Sequence, residues 1–322
     1  MFPSMISGQI GKQMKRQKSF ESQGPALYLV PTPIGNLQEM TPRALEVLSK
    51  VDAVAAEDTR NTGLLLQKFE LKKPLISHHE HNQKESIPRI LDRLKNGESI
   101  AVVSDAGYPL ISDPGAALVN AVIDGGWPVV PLSGCNAALD ALAASGLPAD
   151  HFVFYGFLSA KSAQRKKELE ALKQIPFTLL FYEAPHRIEK MLADMKEVFG
   201  NREICLAREL TKLHEEFLRG SLEEVIEALP GLKGEMVVVV AGYEPEAISV
   251  SSLTDEVRAL EEQGLSRMAA VKQVAKSNGT SKNQLYKQML SEESEELLDE
   301  EADEEISSEA EAEEESAETL EE

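Results

Sequence analysis

Ser99-Ile-Ala-Val-Val103, followed by Ser104-Asp-Ala-Gly-Tyr-Pro-Leu-Ile-Ser-Asp-Pro-Gly115, decides the fold. The unbroken apolar run reads as a strand buried on both faces, the signature of a parallel sheet. The residues after it form a strand-to-helix loop. Asp113 and Pro114 predict an N-cap and first helical residue, because a carboxylate accepts orphan amides and proline has no amide to leave unpaired. Gly107 and Gly115 let the backbone approach a ligand, and Pro109 and Pro114 stiffen the loop. Asp105 stands just past the carboxyl end of the strand, where open α/β sheets bind ligands.

Working outward, the same alternation of short apolar runs and helical stretches recurs. Ala26–Val30 reads as the first strand and leads into a stiff loop carrying Pro33 and Gly35. Thr41-Pro42 predicts a helix to about Lys50. Val51–Ala56 is the second strand and releases Glu57-Asp58-Thr59-Arg60. A short strand near Leu75-Ile76 delivers His78-His79-Glu80-His81-Asn82, with a helix from Lys84 to Lys95. Pro128–Leu132 is the fifth strand, ending at Ser133-Gly-Cys-Asn136 and the small-residue helix Ala137–Ala144. Five successive loops on one side of the sheet thus carry glycine, carboxylate, histidine or arginine, a concentration that argues for a site.

The pattern restarts with Phe152–Phe157, a basic helix including Lys161, Arg165, Lys166 and Lys167, and the strand Phe177–Tyr182. Glu183-Ala-Pro-His-Arg187, a helix to Phe199, strand Glu203–Ala207, Arg208, a capping box from Ser221 to Glu224 and strand Met236–Ala241 follow. After linker-like residues 244–252 come three short helical patterns, with Ser277-Asn278-Gly279-Thr280 as a turn, a spacing that suits a helix-turn-helix. Residues 265–291 contain Arg267, Lys272, Lys276, Lys282 and Lys287 and no acid. The expected organisation is an unstructured basic arm (1–24), two α/β domains (25–134 and 135–243), a helical domain (250–290) and a disordered acidic tail (291–322).

Composition narrows the function. With 322 residues, 42% of them apolar, the chain can build real cores, and no apolar run is long enough to span a bilayer. Cys135 and Cys205 have no metal-ligand spacing, which suits a reduced, cytoplasmic setting. The net charge of −21 is concentrated in the tail, whose 18 acids meet no base; the rest holds 33 basic and 36 acidic residues, a net of −3. Such a like-charge tail cannot bury enough apolar surface to order itself; it is expected to fold over residues 265–290. A phosphate-binding Gly-x-x-x-x-Gly-Lys, a dinucleotide Gly-x-Gly-x-x-Gly and a nucleophile elbow are all missing. His78, His79 and His81 match no standard zinc spacing, so no metal is expected. Stiff proline loops, glycine amides and an aspartate suit S-adenosylmethionine, whose positive charges favour carboxylates and whose adenine favours an apolar slot.

Leu29-Val-Pro-Thr-Pro-Ile-Gly-Asn-Leu37, Ala56-Glu-Asp-Thr-Arg60, His79-Glu-His-Asn82, Ser104–Gly115 and Tyr182-Glu-Ala-Pro-His-Arg187 resemble the tetrapyrrole-methylase superfamily. The resemblance runs from about residue 26 to 290 and is narrowest to the bacterial branch that 2′-O-methylates a cytidine of 16S rRNA. It implies two α/β domains with S-adenosylmethionine in the cleft between them, a homodimer, a small helical C-terminal domain and, as substrate, a decoding-centre cytidine within the small ribosomal subunit. It further implies donor contacts from Pro33, Gly35, Asp105, Ala106, Gly107, Pro109, Ser112, Asp113, Pro114 and Gly115. Ser133, Gly134 and Ala137, and Tyr182, Arg208 and Met236 of the second domain, complete that set.

The implied reaction is an in-line displacement of methyl onto a ribose oxygen, in which aligning the two atoms supplies much of the rate. The hydroxyl loses its proton as it attacks. Glu57, Asp58 or His81 is the candidate base, and Arg60 a phosphate clamp. Since the body is not basic overall, RNA binding is expected from local patches: Lys161, Arg165, Lys166 and Arg187, with Lys272, Lys282 and Lys287 on the helix-turn-helix. Two alternatives stand beside this: a methylase of a tetrapyrrole or protein on the same fold, and a non-enzymatic ribosome-assembly factor.

Overall fold

A computed structural model describes residues 14–19, 24–112, 115–244, 250–287 and 289–291. The expected acidic tail beyond Ser291, most of the arm, and both Asp113 and Pro114 lie outside the described residues. The chain divides into two compact units, Met1–Tyr243 and Glu244–Glu322.

The first unit contains two five-stranded sheets. In the first, β1 (Leu27–Leu29), β2 (Ala53–Ala56), β3 (Leu75–Ser77), β4 (Ile100–Val103) and β5 (Val129–Pro131) lie in the order β3-β2-β4-β1-β5, every pairing parallel. Helices α1 (Pro42–Lys50), α2 (Thr59–Lys68), α3 (Gln83–Lys95) and α4 (Ala116–Asp124) connect the strands. Strands β2 and β4 are buried throughout because helices cover both faces. Val54, Ala101 and Val103 enter one core with Leu48 and Leu66, while Ala53, Ala55 and Ile100 enter another with Ile90, Leu94, Leu118 and Val122.

Thr41 caps α1 as expected, its Oγ1 accepting from the Ala44 amide at 3.1 Å. Helix α4 departs from expectation: it begins at Ala116 behind Gly115, whose φ of 146° only glycine adopts readily. Part of the arm is also ordered against the sheet. Gln17 exchanges two side-chain hydrogen bonds, 2.8 and 2.9 Å, with the backbone of Val129 on the edge strand β5, and Lys15 donates to the Ile123 carbonyl at 2.7 Å.

Helix α5 (Ala137–Ser145) joins the sheets. Asn136 caps it through the Leu139 amide at 3.1 Å, and Gly146 ends it in the left-handed region at φ 84°. Its buried Ala138, Ala141 and Leu142 pack against Leu180, Cys205, Ala207, Val237 and Val239 of the second sheet. That sheet holds β6 (Phe152–Phe157), β7 (Thr178–Glu183), β8 (Glu203–Arg208), β9 (Glu216–Ser221) and β10 (Met236–Val240) in the order β6-β7-β10-β8-β9. It is mixed: β6 and β7 are parallel, β10 runs antiparallel between β7 and β8, and β9 is antiparallel to β8. Strand β9 was not anticipated, because Glu216-Phe-Leu-Arg-Gly-Ser221 has no clean alternation and its pairing along β8 defines it.

Helices α6 (Ser162–Leu172), α7 (Ile188–Phe199) and α8 (Leu222–Ala228) cover this sheet's other face, with the Ser221–Glu224 capping box in place. Their charges correct part of the expected RNA surface. Arg165 is 3% exposed: its Nε donates to Asp194 at 2.8 Å and its Nη1 to the Ser159 and Ala160 carbonyls. It is a buried strut with no face for RNA. Lys166 pairs with Glu197 at 2.5 Å; Arg187 pairs with buried Glu183 at 3.1 Å and donates to the Leu158 carbonyl at 2.7 Å. Lys161, at the start of α6, and Lys167, on it, are exposed, and neither makes a side-chain hydrogen bond or ion pair among the described residues.

In the second unit, α9 (Val250–Glu262), α10 (Arg267–Ser277) and a helical segment over 282–287 and 289–291 bury Val257, Ala270, Val271, Val274, Leu285 and Met289. Gly279, at φ 64°, makes the turn before the last segment. Lys272, Lys276, Lys282 and Lys287 are exposed. No described helix is long and apolar enough to cross a membrane.

Removing one partner of a buried ion pair strands the other charge, which costs about 3–5 kcal/mol. Arg165→Ala therefore lowers unfolding stability by about that amount in urea titration, while Lys161→Ala leaves the midpoint unchanged.

Candidate active site

The carboxyl ends of the parallel strands meet the second sheet in a cleft of about 380 Å³. Glu57 follows β2, Asp105–Tyr108, Ile111 and Ser112 follow β4, and Asn136 and Ala137 open α5. Across from them stand Phe157, Tyr182–Pro185, Leu210 and Glu235–Val237.

Backbone pairing holds the first sheet's loops together. Thr32 and Gly107 exchange hydrogen bonds of 2.9 and 3.0 Å, an isolated antiparallel bridge that ties the β1 loop to the β4 loop. Gly107 has φ 77°, and a Cβ there would lie 3.3 Å from Ile34. Buried Ser104 is spent within the loop, its hydroxyl donating to the Ala106 and Gly107 carbonyls. Asp105 is held at both oxygens: Oδ1 accepts from the Asp58 amide at 3.3 Å and Oδ2 from Asn61 Nδ2 at 3.0 Å.

The three clustered acids have different environments. Asp58 caps α2, accepts from the Arg60 amide at 2.8 Å, and pairs with the Arg60 guanidinium at 2.6 Å. Those hydrogen bonds, the side-chain one foremost, hold its pKa down at about 2. Its carboxylate is occupied by the helix cap and by Arg60 and does not line the cleft, which argues against Asp58 as the base. Glu57 is the reverse. Burial first, and then the negative charge of Asp105, raise its carboxyl above the ordinary range, against the opposing pull of His79.

The other expected residues divide. Asp105, Ala106, Gly107, Ser112, Ala137, Tyr182 and Met236 line the cleft with Glu57, while Pro33 and Gly35 line an adjoining cavity that shares Asp105. Pro109, Gly115, Ser133 and Gly134 line neither; Gly134 instead makes room for Pro31, which a Cβ would meet at 2.7 Å. Asp113 and Pro114 fall outside the described residues. Arg208 turns away, pairing with Glu216 at 2.6 Å and donating to the Lys233 carbonyl at 3.0 Å. His81 is exposed, its ring 6.1 Å from that of His79, and does not line the cleft. Arg60 is exposed and engaged by Asp58.

Sequence reasoning missed Asn61, Phe157, Glu183 and Glu235. Asn61 carried no signal beyond its place one turn into α2, and Phe157 was hidden in an apolar strand. Glu183 is wholly buried: its Oε1 accepts from the Ala184 amide at 2.8 Å, and Oε2 has no hydrogen-bond partner among the described residues. Lys212 joins Glu209 and Glu235 at 3.0 and 2.9 Å and crosses to Gly35, where a Cβ would strike it at 2.5 Å.

Two sheets enclosing a carboxylate-lined cleft at the ends of parallel strands define a methylase of the tetrapyrrole (corrin/porphyrin) type, and a model of that family matches residues 26–226. The chain belongs to this family and is a methyltransferase. A Bacillus subtilis (strain 168) relative named ribosomal RNA small subunit methyltransferase I is 46% identical, the match covering 85% of this chain and 97% of the relative. A relative of the same name from Synechocystis sp. is 47% identical over 84% of this chain and 99% of its own. Among solved structures, a cobalt precorrin-4 methyltransferase of cobalamin biosynthesis shares the fold, with a TM-score of 0.53 at 16% identity over 67% of this chain and 94% of that one.

Because Glu57 holds its proton more tightly folded than unfolded, stability falls as pH rises from the ordinary 4.5 through the raised value. Glu57→Gln lacks that loss. Its urea midpoint relative to the wild type therefore rises with pH across this window, and a pH-independent difference would refute the assignment.

Proposed function

We propose that this chain methylates the ribose 2′-oxygen of a cytidine in 16S rRNA, using S-adenosylmethionine, on the small ribosomal subunit in the cytoplasm, as a homodimer. The observation that carries the reading is the near-full-length identity to relatives named for the small-subunit rRNA. A proton-accepting Glu57 in the Asp105 cleft supports it from the structure.

The residues present fit the donor. Ile34, Ala137, Leu210, Met236 and Val237 make an apolar wall for adenine, and Asp105 gives the cleft a negative charge suited to a sulfonium or an ammonium. When bound, S-adenosylmethionine supplies an electrophilic methyl group. The chain's own part is alignment and proton removal. Asp105, held at both oxygens, and the Thr32–Gly107 bridge fix the loop against which the donor is oriented. Glu57 accepts the 2′-hydroxyl proton as the new C–O bond forms and the C–S bond breaks, leaving a neutral thioether. Its raised affinity for protons makes it a stronger base than an ordinary carboxylate.

RNA attraction falls to local charge. Lys161 on the first unit and Lys272, Lys276, Lys282 and Lys287 on the helical unit are the exposed cations that neutralise phosphates. Arg165 has no part in this.

Labelled methyl transfer to small subunits from cells lacking the protein tests the reaction. Label on a ribose 2′-oxygen is expected, abolished in Asp105→Ala. Glu57→Gln lowers turnover by about a hundredfold with donor affinity unchanged; equal loss of donor binding would refute its role as base. Transfer to a tetrapyrrole or protein, with none to subunits, would overturn the RNA reading. Each phosphate contact adds about one to the slope of log K against log salt, so Lys282→Gln with Lys287→Gln lowers the magnitude of that slope by about two, measured by RNA-binding titration.

A further inference from the structure

Strand β6 breaks its own alternation. Val153 pairs with Leu179 of β7 and Phe154 with Leu180, but the next pairs are Gly156 with Phe181 and Phe157 with Tyr182, so Tyr155 is an extra residue. This is a β-bulge, a device that redirects the side chains beyond it. Val153, Tyr155, Leu179 and Phe181 belong to the core beneath α6 and α7, whereas Phe154, Leu180 and Tyr182 belong to the face toward α5 and the cleft. By strict alternation Phe157 would follow Val153 and Tyr155 under the helices. The bulge instead sets it beside Tyr182 on the cleft face.

The consequence is an aromatic ring left in the open. Phe157 lines the cleft and is 54% exposed, so the face of a large aromatic ring is open at the cleft mouth. It is nevertheless held firmly. Its ring meets Tyr182 edge to face at 5.6 Å, and Tyr182 meets Phe154 at 5.0 Å. The bulge is built to last: Gly156 has φ 84°, and a Cβ there would come within 2.9 Å of the Ser112 hydroxyl. Ser112 belongs to the β4 loop, where Ile111, also exposed, lines the same cleft. The lip is therefore formed from both sheets, and exposed Lys161 follows Phe157 by four residues.

We infer that Phe157 is a stacking platform for the base of the acceptor nucleotide, holding it at the cleft mouth while its ribose faces Glu57 and Asp105. A splayed-out base presents a flat π face, and proteins that read single-stranded RNA stack such bases on rigid aromatic rings. Exposure at the mouth suits the acceptor, and Lys161 supplies a cation for its backbone phosphate. The inference rests on the RNA reading above and adds to it a residue that selects for a flat, unpaired base.

The experiment compares wild type, Phe157→Leu and Phe157→Trp in the full chain. Leucine keeps the apolar bulk and removes the π face; tryptophan restores it. Small-subunit affinity and KM, donor affinity by calorimetry, and oligomeric state by light scattering are measured for each. Phe157→Leu is expected to weaken acceptor binding on the order of tenfold, with donor affinity and oligomeric state unchanged, and Phe157→Trp to recover it. Weakened donor binding with unchanged acceptor affinity would place the donor's adenine on the ring, and an altered oligomeric state would make it a subunit contact; either overturns the inference. So does Phe157→Leu indistinguishable from an active wild type, or equal loss in both variants. A wild type that transfers nothing to RNA would instead defeat the underlying reading.

Discussion

The packing of α5 on the second sheet is the contact on which the cleft depends. The helix leaves the end of β5, so its start is tied covalently to the first sheet, while Ala138, Ala141 and Leu142 are buried against Leu180, Ala207, Val237 and Val239 of the second. Small side chains let the helix backbone lie close to the strands, and the apolar area removed from water holds it there. The carboxyl ends of the parallel strands therefore face a wall rather than solvent. Asn136 and Ala137 sit at once at the helix start and in the cleft lining, so the joint between the sheets is also part of the site.

Within the cleft, neighbours decide what each charge does. Glu57 and Asp58 are adjacent in sequence and opposite in behaviour: one is partly buried beside Asp105 and holds a proton more tightly, the other is paired with Arg60 and holds one weakly. Arg165, Lys166, Arg187 and Arg208 each find a carboxylate, and the three arginines find backbone carbonyls as well, so charges that look available along the chain are occupied in the fold. A buried guanidinium must be paired, because its desolvation is otherwise prohibitive.

The first sheet was legible almost completely, since a doubly covered parallel strand such as Ile100–Val103 is an uninterrupted apolar run and its connections are helices with readable caps. The second sheet was harder. Strand β9 has mixed exposure and exists through its pairing with β8. Of the site, the loops after β2, β4 and β5 were found because glycine, proline and carboxylate crowd there. The opposite wall yielded Tyr182 and Met236 and missed Phe157, Glu183 and Glu235.

By itself, then, the sequence determined the strand and helix succession, the side of the first sheet that bears the loops, the Ser221 capping box and the concentration of acid in the tail. These are properties of near neighbours, encoded in periodicities of two and 3.6 residues. Tertiary structure alone decided that Arg165 is a strut, that Arg208 turns to Glu216, that Asn61 holds Asp105, and that a bulge at Tyr155 brings Phe157 to the cleft. Each depends on a partner many residues away or on a register between strands, and no local pattern records which distant groups the folded chain will bring within hydrogen-bonding distance.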